Sequence, residues 1–277
     1  MRRAAVIGCV LAAWLAGCGA AGAGPLHALS TGAEATAWSG VGRLDIDGKG
    51  FCTGALIAPD RVLTAAHCLF DRATGAPVEP GRIRFLAGFR HGRSAAERAV
   101  RRAVVHPAYR YNPLAGAAES RFDLALLELD RPIPPGDVRP FETAETLRPG
   151  DPVSVISYAA GRADAPALED RCAVLGEEAG VLVMTCDVDF GASGSPVFQI
   201  EGDVARIVSV VSAKGELGPR QVSLGTTVGG PLAELQATLV NQEPALAGRV
   251  GALPGIRHIS AGERTDTGAR WVSAPRH

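Results

Sequence analysis

The stretch "VLTAAHC" (residues 62–68) ends an apolar strand on a histidine and fixes that histidine with a cysteine. A histidine anchored this way has a defined position, which a general base needs. The same placement also suits a half-buried structural histidine, so the stretch must be read with others. The remaining histidines lack such an anchor. His27 precedes the first clear strand, His258 and His277 fall near the end, His91 is in a polar glycine-bearing loop, and His106 stands before a proline at a strand end.

Downstream, "FDLALLELD" (residues 122–130) reads as a buried strand opened by Asp123. A carboxylate against such a strand must find a donor or bear a large desolvation cost. An imidazole N–H would satisfy it, as would a turn at the strand start. Asp130, followed by "RPIPPG", reads as an exposed exit. Further on, "CDVDFGASGSPVF" (residues 186–198) sets Ser193 among glycines, before a proline and another apolar strand. Gly191 takes a positive φ at no steric cost. If the loop turns sharply there, the N–H groups of Gly191 and Ser193 converge on one point, as donors preset for a developing negative charge must. Serine then supplies a nucleophile, histidine accepts its proton and the buried aspartate orients the histidine.

Between these stretches the chain reads as short strands joined by glycine- and proline-rich turns, from "SGVGRLDI" and "GFCTGALIA" through "VARIVSVVSA". The best helix pattern is "PLAELQATLVNQ", with proline at its start. That arrangement favours a sandwich or barrel over alternating strands and helices. A net charge of −1 gives no global field for nucleic acid, and the scattered arginines form no basic stripe with interleaved aromatics.

The start, "MRRAAVIGCVLAAWLAGC", has two arginines before an apolar run over residues 4–16. The run is short for a bilayer span and has the layout of an export signal. Its end, "LAGC", resembles the bacterial lipobox, in which the cysteine, here Cys18, is lipidated and becomes the first mature residue. The other reading is an ordinary cleaved signal, with the small residues 20–23 serving a different peptidase. Both readings place the mature chain outside the cytoplasm, where disulfides persist. Cys52, Cys68, Cys172 and Cys186 allow three pairings. Nearest-neighbour pairing gives Cys52–Cys68 and Cys172–Cys186, closing loops worth roughly 3 kcal/mol each on chain-entropy grounds. The spacings contain no C-x-x-C pair and no nearby histidine pair, which argues against zinc.

Taken together, "TAAHC", "DLALLEL" and "GASGSPV", in the order His, Asp, Ser, resemble the chymotrypsin-like (trypsin-fold) serine peptidases over about residues 38–240. The resemblance implies an all-β fold of two orthogonal six-stranded antiparallel β-barrels with a C-terminal helix. It implies catalytic roles for His67, Asp123 and Ser193, an oxyanion hole at Gly191 and Ser193, and no cofactor or metal. The Cys52–Cys68 pair matches the disulfide that brackets the family's histidine. The expected organisation is a signal segment (1–18), a tether (19–37), a peptidase domain (38–241) and a tail (242–277). The expected function is that of an exported serine endopeptidase acting on protein or peptide substrates as a monomer, with lipid anchoring through Cys18 and no nucleic-acid partner. The alternative is a non-catalytic peptide-binding relative attached to the envelope. The α/β-hydrolase elbow is set aside, because it needs G-x-S-x-G and a different triad order.

Departures from the family pattern carry expectations of their own. Ala192 stands where trypsin-like enzymes have an aspartate that pairs with a freed N-terminus, and no Ile-Val-Gly-Gly cleavage site occurs. That activation switch is therefore expected to be absent, with the loop held by the Cys172–Cys186 link and by packing of Phe190. The "SGSP" form is closer to bacterial relatives such as the glutamyl endopeptidase group. Asp187, six residues before Ser193, is the position from which trypsin attracts cationic side chains. Ser212 and Lys214, in "VSAKG", are expected at the substrate pocket, with Lys214 favouring acidic groups or neutralising Asp187.

Overall fold

The structure is a computed structural model that describes residues 26–29, 32–112, 117–145 and 147–249. The expected signal segment with Cys18, and residues 250–277 of the expected tail, lie outside the described residues. The chain divides into two compact units, Met1–Gln236, which holds every strand among the described residues, and Ala237–His277.

Six strands close the first barrel: β2 (Val41–Ile46), β3 (Gly50–Ala58), β4 (Arg61–Thr64), β5 (Ile83–Ala87), β6 (Ala96–Val105) and β7 (Ala125–Leu129), in the order β2-β3-β4-β7-β6-β5. All five residues of β7 are buried, which is why this segment reads as a continuous apolar run and not as an alternation. Leu44, Leu56, Val62, Leu63, Phe85 and Leu126 are essentially inaccessible to solvent. Complete burial of such a side chain contributes roughly 1.5–3 kcal/mol.

The second barrel uses β9 (Pro152–Ala159), β10 (Arg162–Glu178), β11 (Val181–Met184), β12 (Pro196–Glu201), β13 (Val204–Leu217) and β14 (Arg220–Thr227). Its sheet runs β10-β11-β14-β13-β12-β9, and β9 also pairs with β10, which closes the ring. The core contains Val155, Val174, Leu182, Met184, Val197 and Val211 around the Cys172–Cys186 disulfide. Two short pieces decorate this sheet. β1 (His27–Ala28) pairs with β10, and β8 (Glu142–Thr143) runs parallel to β13. The all-β, two-barrel expectation is met.

Within residues 19–37, β1 pairs with β10 and helix α1 (Gly32–Ala37) precedes Trp38. Helix α2 (Gly229–Arg249) follows β14. Trp38, Phe141 and Phe198 pack together, with centroids 4.8–5.9 Å apart, and tie the entrance of the first barrel to β12 of the second.

Candidate active site

His67 sits on a one-turn 3₁₀ segment (Ala66–Leu69) at the end of β4. The Cys52–Cys68 disulfide, with an S–S distance of 2.04 Å, ties that turn to β3. Asp123 lies just before β7, which pairs with β4, so two neighbouring strand ends deliver the histidine and the carboxylate to one place. The His67 backbone N–H donates to Asp123 Oδ1 at 2.8 Å, and His67 Nδ1 lies 2.7 Å from Asp123 Oδ2. This two-point contact fixes the ring; with the proton on Nδ1, the imidazole donates it to the aspartate and Nε2 is left as an acceptor. A third donor comes from the other barrel. Ser212, on β13, donates its Oγ–H to Asp123 Oδ2 at 2.5 Å. Asp123 is 3% exposed, and these donors provide what a buried carboxylate requires.

Ser193 occupies a loop between β11 and β12. The loop turns through two glycines, Gly191 at φ +93° and Gly194 at φ +78°. A side chain at Gly191 would put its Cβ 2.4 Å from the Phe51 ring, and one at Gly194 would put it 2.2 Å from Thr64 Oγ1. Both positions thus need glycine for conformation and for space. The Gly194 N–H donates to Val211 and the Ala192 N–H to Asp189. Among the described residues the N–H groups of Gly191 and Ser193 donate to no carbonyl. From below, Thr53 of β3 fastens the loop. Its N–H donates to Ser193 O at 2.9 Å, and its Oγ1 donates to Gly191 O at 3.1 Å.

His67, Asp123, Ser193, Ser212 and Lys214 border one cleft of about 400 Å³. Tyr109 also borders it, and burial pushes its phenol well above the usual tyrosine range. Asp187 is not at the base of this cleft. Its side chain is 79% exposed and faces Lys214, with Nζ 3.4 Å from Oδ1. The Asp187 backbone N–H instead points inward to both carboxylate oxygens of Glu169, at 2.9 and 3.0 Å. Glu169 is 2% exposed, and burial raises its pKa to about 7. Phe190, expected to help hold the loop by packing, is 69% exposed. The roles of Thr53 and Glu169 were not visible in the sequence, where neither residue sits in a recognisable pattern.

Residues 52–205 match the trypsin-like peptidase domain. The chain belongs to this family. Among curated relatives, it is 36% identical over 105 residues to a modular serine protease of Drosophila melanogaster and 38% identical over 100 residues to serine protease 56 of Homo sapiens. These alignments take in 35% and 36% of the chain and cover 15% of the length of each relative. The trypsin-like fold recurs in a Glu endopeptidase solved in complex with MPD. The TM-score is 0.63 at 20% identity, covering 80% of this chain and 97% of that one. It recurs also in a thermostable serine protease, AL20, from an extremophilic microorganism, with a TM-score of 0.55 at 18% identity, covering 72% and 95%. At such identities these likenesses carry the fold.

Proposed function

We propose that the protein is a serine endopeptidase in which Ser193 is the nucleophile, His67 the general base and Asp123 the carboxylate that orients the histidine. The observation that carries this reading is the two-point hydrogen bonding of His67 to buried Asp123 on the cleft that Ser193 also borders. His67 Nε2 takes the Ser193 proton as Oγ attacks the peptide carbonyl. The carbonyl oxygen, now negative, is received by the N–H groups of Gly191 and Ser193. His67 then gives the proton to the departing amine, and water repeats the sequence on the acyl-enzyme. Preset donors of the oxyanion kind contribute about 2.7–4 kcal/mol each to such a step.

The Asp187–Lys214 pairing offsets the negative charge that Asp187 alone would bring, so a preference for basic substrate residues is not part of this reading. Export, with lipid anchoring at Cys18, is proposed from the layout of residues 1–18. The two disulfides fit an oxidising compartment. Peptide hydrolysis by Ser193→Ala and His67→Ala proteins tests the catalytic assignment. Each should lose activity by several orders of magnitude while keeping its fold, and hydrolysis by pure Ser193→Ala protein at the wild-type rate would overturn it.

A further inference from the structure

One contact across the cleft has no part in holding Ser193, His67 or Asp123. Phe190 belongs to the loop carrying Ser193, and Arg72 to the segment that follows the His67 turn. The two meet over the cleft, with the Arg72 guanidinium carbon 5.6 Å from the centre of the Phe190 ring. A second cavity, of about 370 Å³, adjoins the first at this point, and His67, Arg72 and Phe190 border both. Ser193 and Ser212 border the first cavity, and Gly191 with the Cys52–Cys68 disulfide borders the second.

Chemistry assigns a direction to the pair of cavities. In the proposed reaction His67 donates a proton to the amine that leaves. His67 borders both cavities, so a peptide whose acyl half occupies the first, beside Ser212, has the second, beside the disulfide, open to its leaving half.

The charges there are unevenly committed. Asp47 faces Lys49 at 2.9 Å and Arg82 at 3.1 Å. Asp71 accepts from the N–H groups of Ala73 and Thr74 and faces Lys49 at 3.3 Å. Asp189, on the first cavity, accepts from the Phe190 N–H at 2.7 Å. Arg72 has no carboxylate within ion-pair distance among the described residues; its contact is the aromatic face. Stacking on a ring positions a guanidinium without consuming the N–H donors on its edge. Those donors match a carboxylate in bidentate fashion.

We propose that Arg72, held against Phe190, selects peptides carrying an aspartate or glutamate side chain at one of the first two positions after the scissile bond. The inference rests on the catalytic reading given above. It is tested with peptides sharing one neutral acyl half and differing only in Glu, Gln or Lys at those two positions. At low ionic strength kcat/KM should favour Glu over Gln by about fivefold, the upper range for an exposed charge pair, and the ratio should shrink with added salt. Arg72→Gln should bring the ratio to one, and Arg72→Glu should reverse it toward Lys. A Glu/Gln ratio that is one in the wild type, or that is unchanged in Arg72→Gln, overturns the inference. Binding of the same peptides to Ser193→Ala protein, read by fluorescence anisotropy, gives the charge ratio without turnover. Equal affinities there defeat the role of Arg72, whereas hydrolysis surviving in Ser193→Ala defeats the catalytic reading and leaves the affinity ratio to decide this one.

Discussion

The Thr53 N–H donates to the Ser193 carbonyl oxygen at 2.9 Å, so a strand of the first barrel holds the loop that the second barrel presents. The Thr53 side chain extends the link. Its Oγ1 donates to Gly191 O at 3.1 Å and accepts from the Tyr158 N–H at 3.0 Å. Thr53→Val preserves shape and removes both bonds, leaving two buried backbone groups unpaired. Each such group costs about 1–3 kcal/mol. The variant should unfold at lower denaturant and lose kcat more than it gains KM, because the loop that should receive the oxyanion is loosened. Denaturation curves and steady-state kinetics check both effects.

Ser193→Ala and Gly194→Ala should separate chemistry from structure. The first deletes one hydroxyl from a half-buried position and should unfold like the wild type. The second forces a Cβ to within 2.2 Å of Thr64 Oγ1 and 2.3 Å of Thr53 O at φ +78°. Positive φ and overpacking together should cost about 2–5 kcal/mol. Calorimetry on the two proteins reads the contrast.

Glu169 gives a pH dependence with a definite sign. Burial raises its pKa from 4.5 to about 7 in the folded protein, with Asp187 and Asp170 raising it further and the Asp187 N–H and Arg162 opposing. The folded state thus holds a proton that the unfolded state releases near pH 4.5. Its contribution is full below that value and is lost as pH rises through about 7, a fall of roughly 3 kcal/mol from this group. Glu169→Gln should flatten that part of the stability profile and be relatively more stable above pH 7. Urea titrations from pH 4 to pH 8 measure it.

Activation without N-terminal trimming is expected. Ala192 is fully buried and carries no charge for a new N-terminus to meet. The loop is fastened instead by Thr53, by Glu169 through the Asp187 N–H, and by the Gly194 N–H to Val211. Acetylating or extending the N-terminus of signal-free protein should change kcat/KM little. A trypsin-like switch strands a buried charge when broken, at about 3–5 kcal/mol, which is several hundred-fold in rate. Side-by-side assays of extended and trimmed forms on one peptide resolve a difference of that size.

The fold and the local frame of the site were legible because they are written in contiguous stretches. An apolar run stops at His67, another starts at Asp123, and glycines flank Ser193. What was not legible depends on contacts far apart in the chain. Thr53 meets Gly191 across 138 residues, and nothing in "FCTGALIA" marks its threonine. Glu169 is one acid among several in "LEDRC", distinguished only by being turned inward. The spacing of Asp187 from Ser193 carries no orientation, which the backbone sets by turning the N–H to Glu169 and the side chain to Lys214. An apolar Phe190 suggests loop packing, yet its ring stands in the cleft against Arg72.

Activation of Ser193 by His67 and Asp123 has a covalent signature. The most direct measurement is intact-mass and peptide-level mass spectrometry after a fluorophosphonate probe is added to the purified, folded protein. One adduct, located on Ser193, lost in Ser193→Ala and strongly slowed in His67→Ala, is the predicted result. An unlabelled wild-type protein that is demonstrably folded, or an adduct that persists in Ser193→Ala, would contradict it.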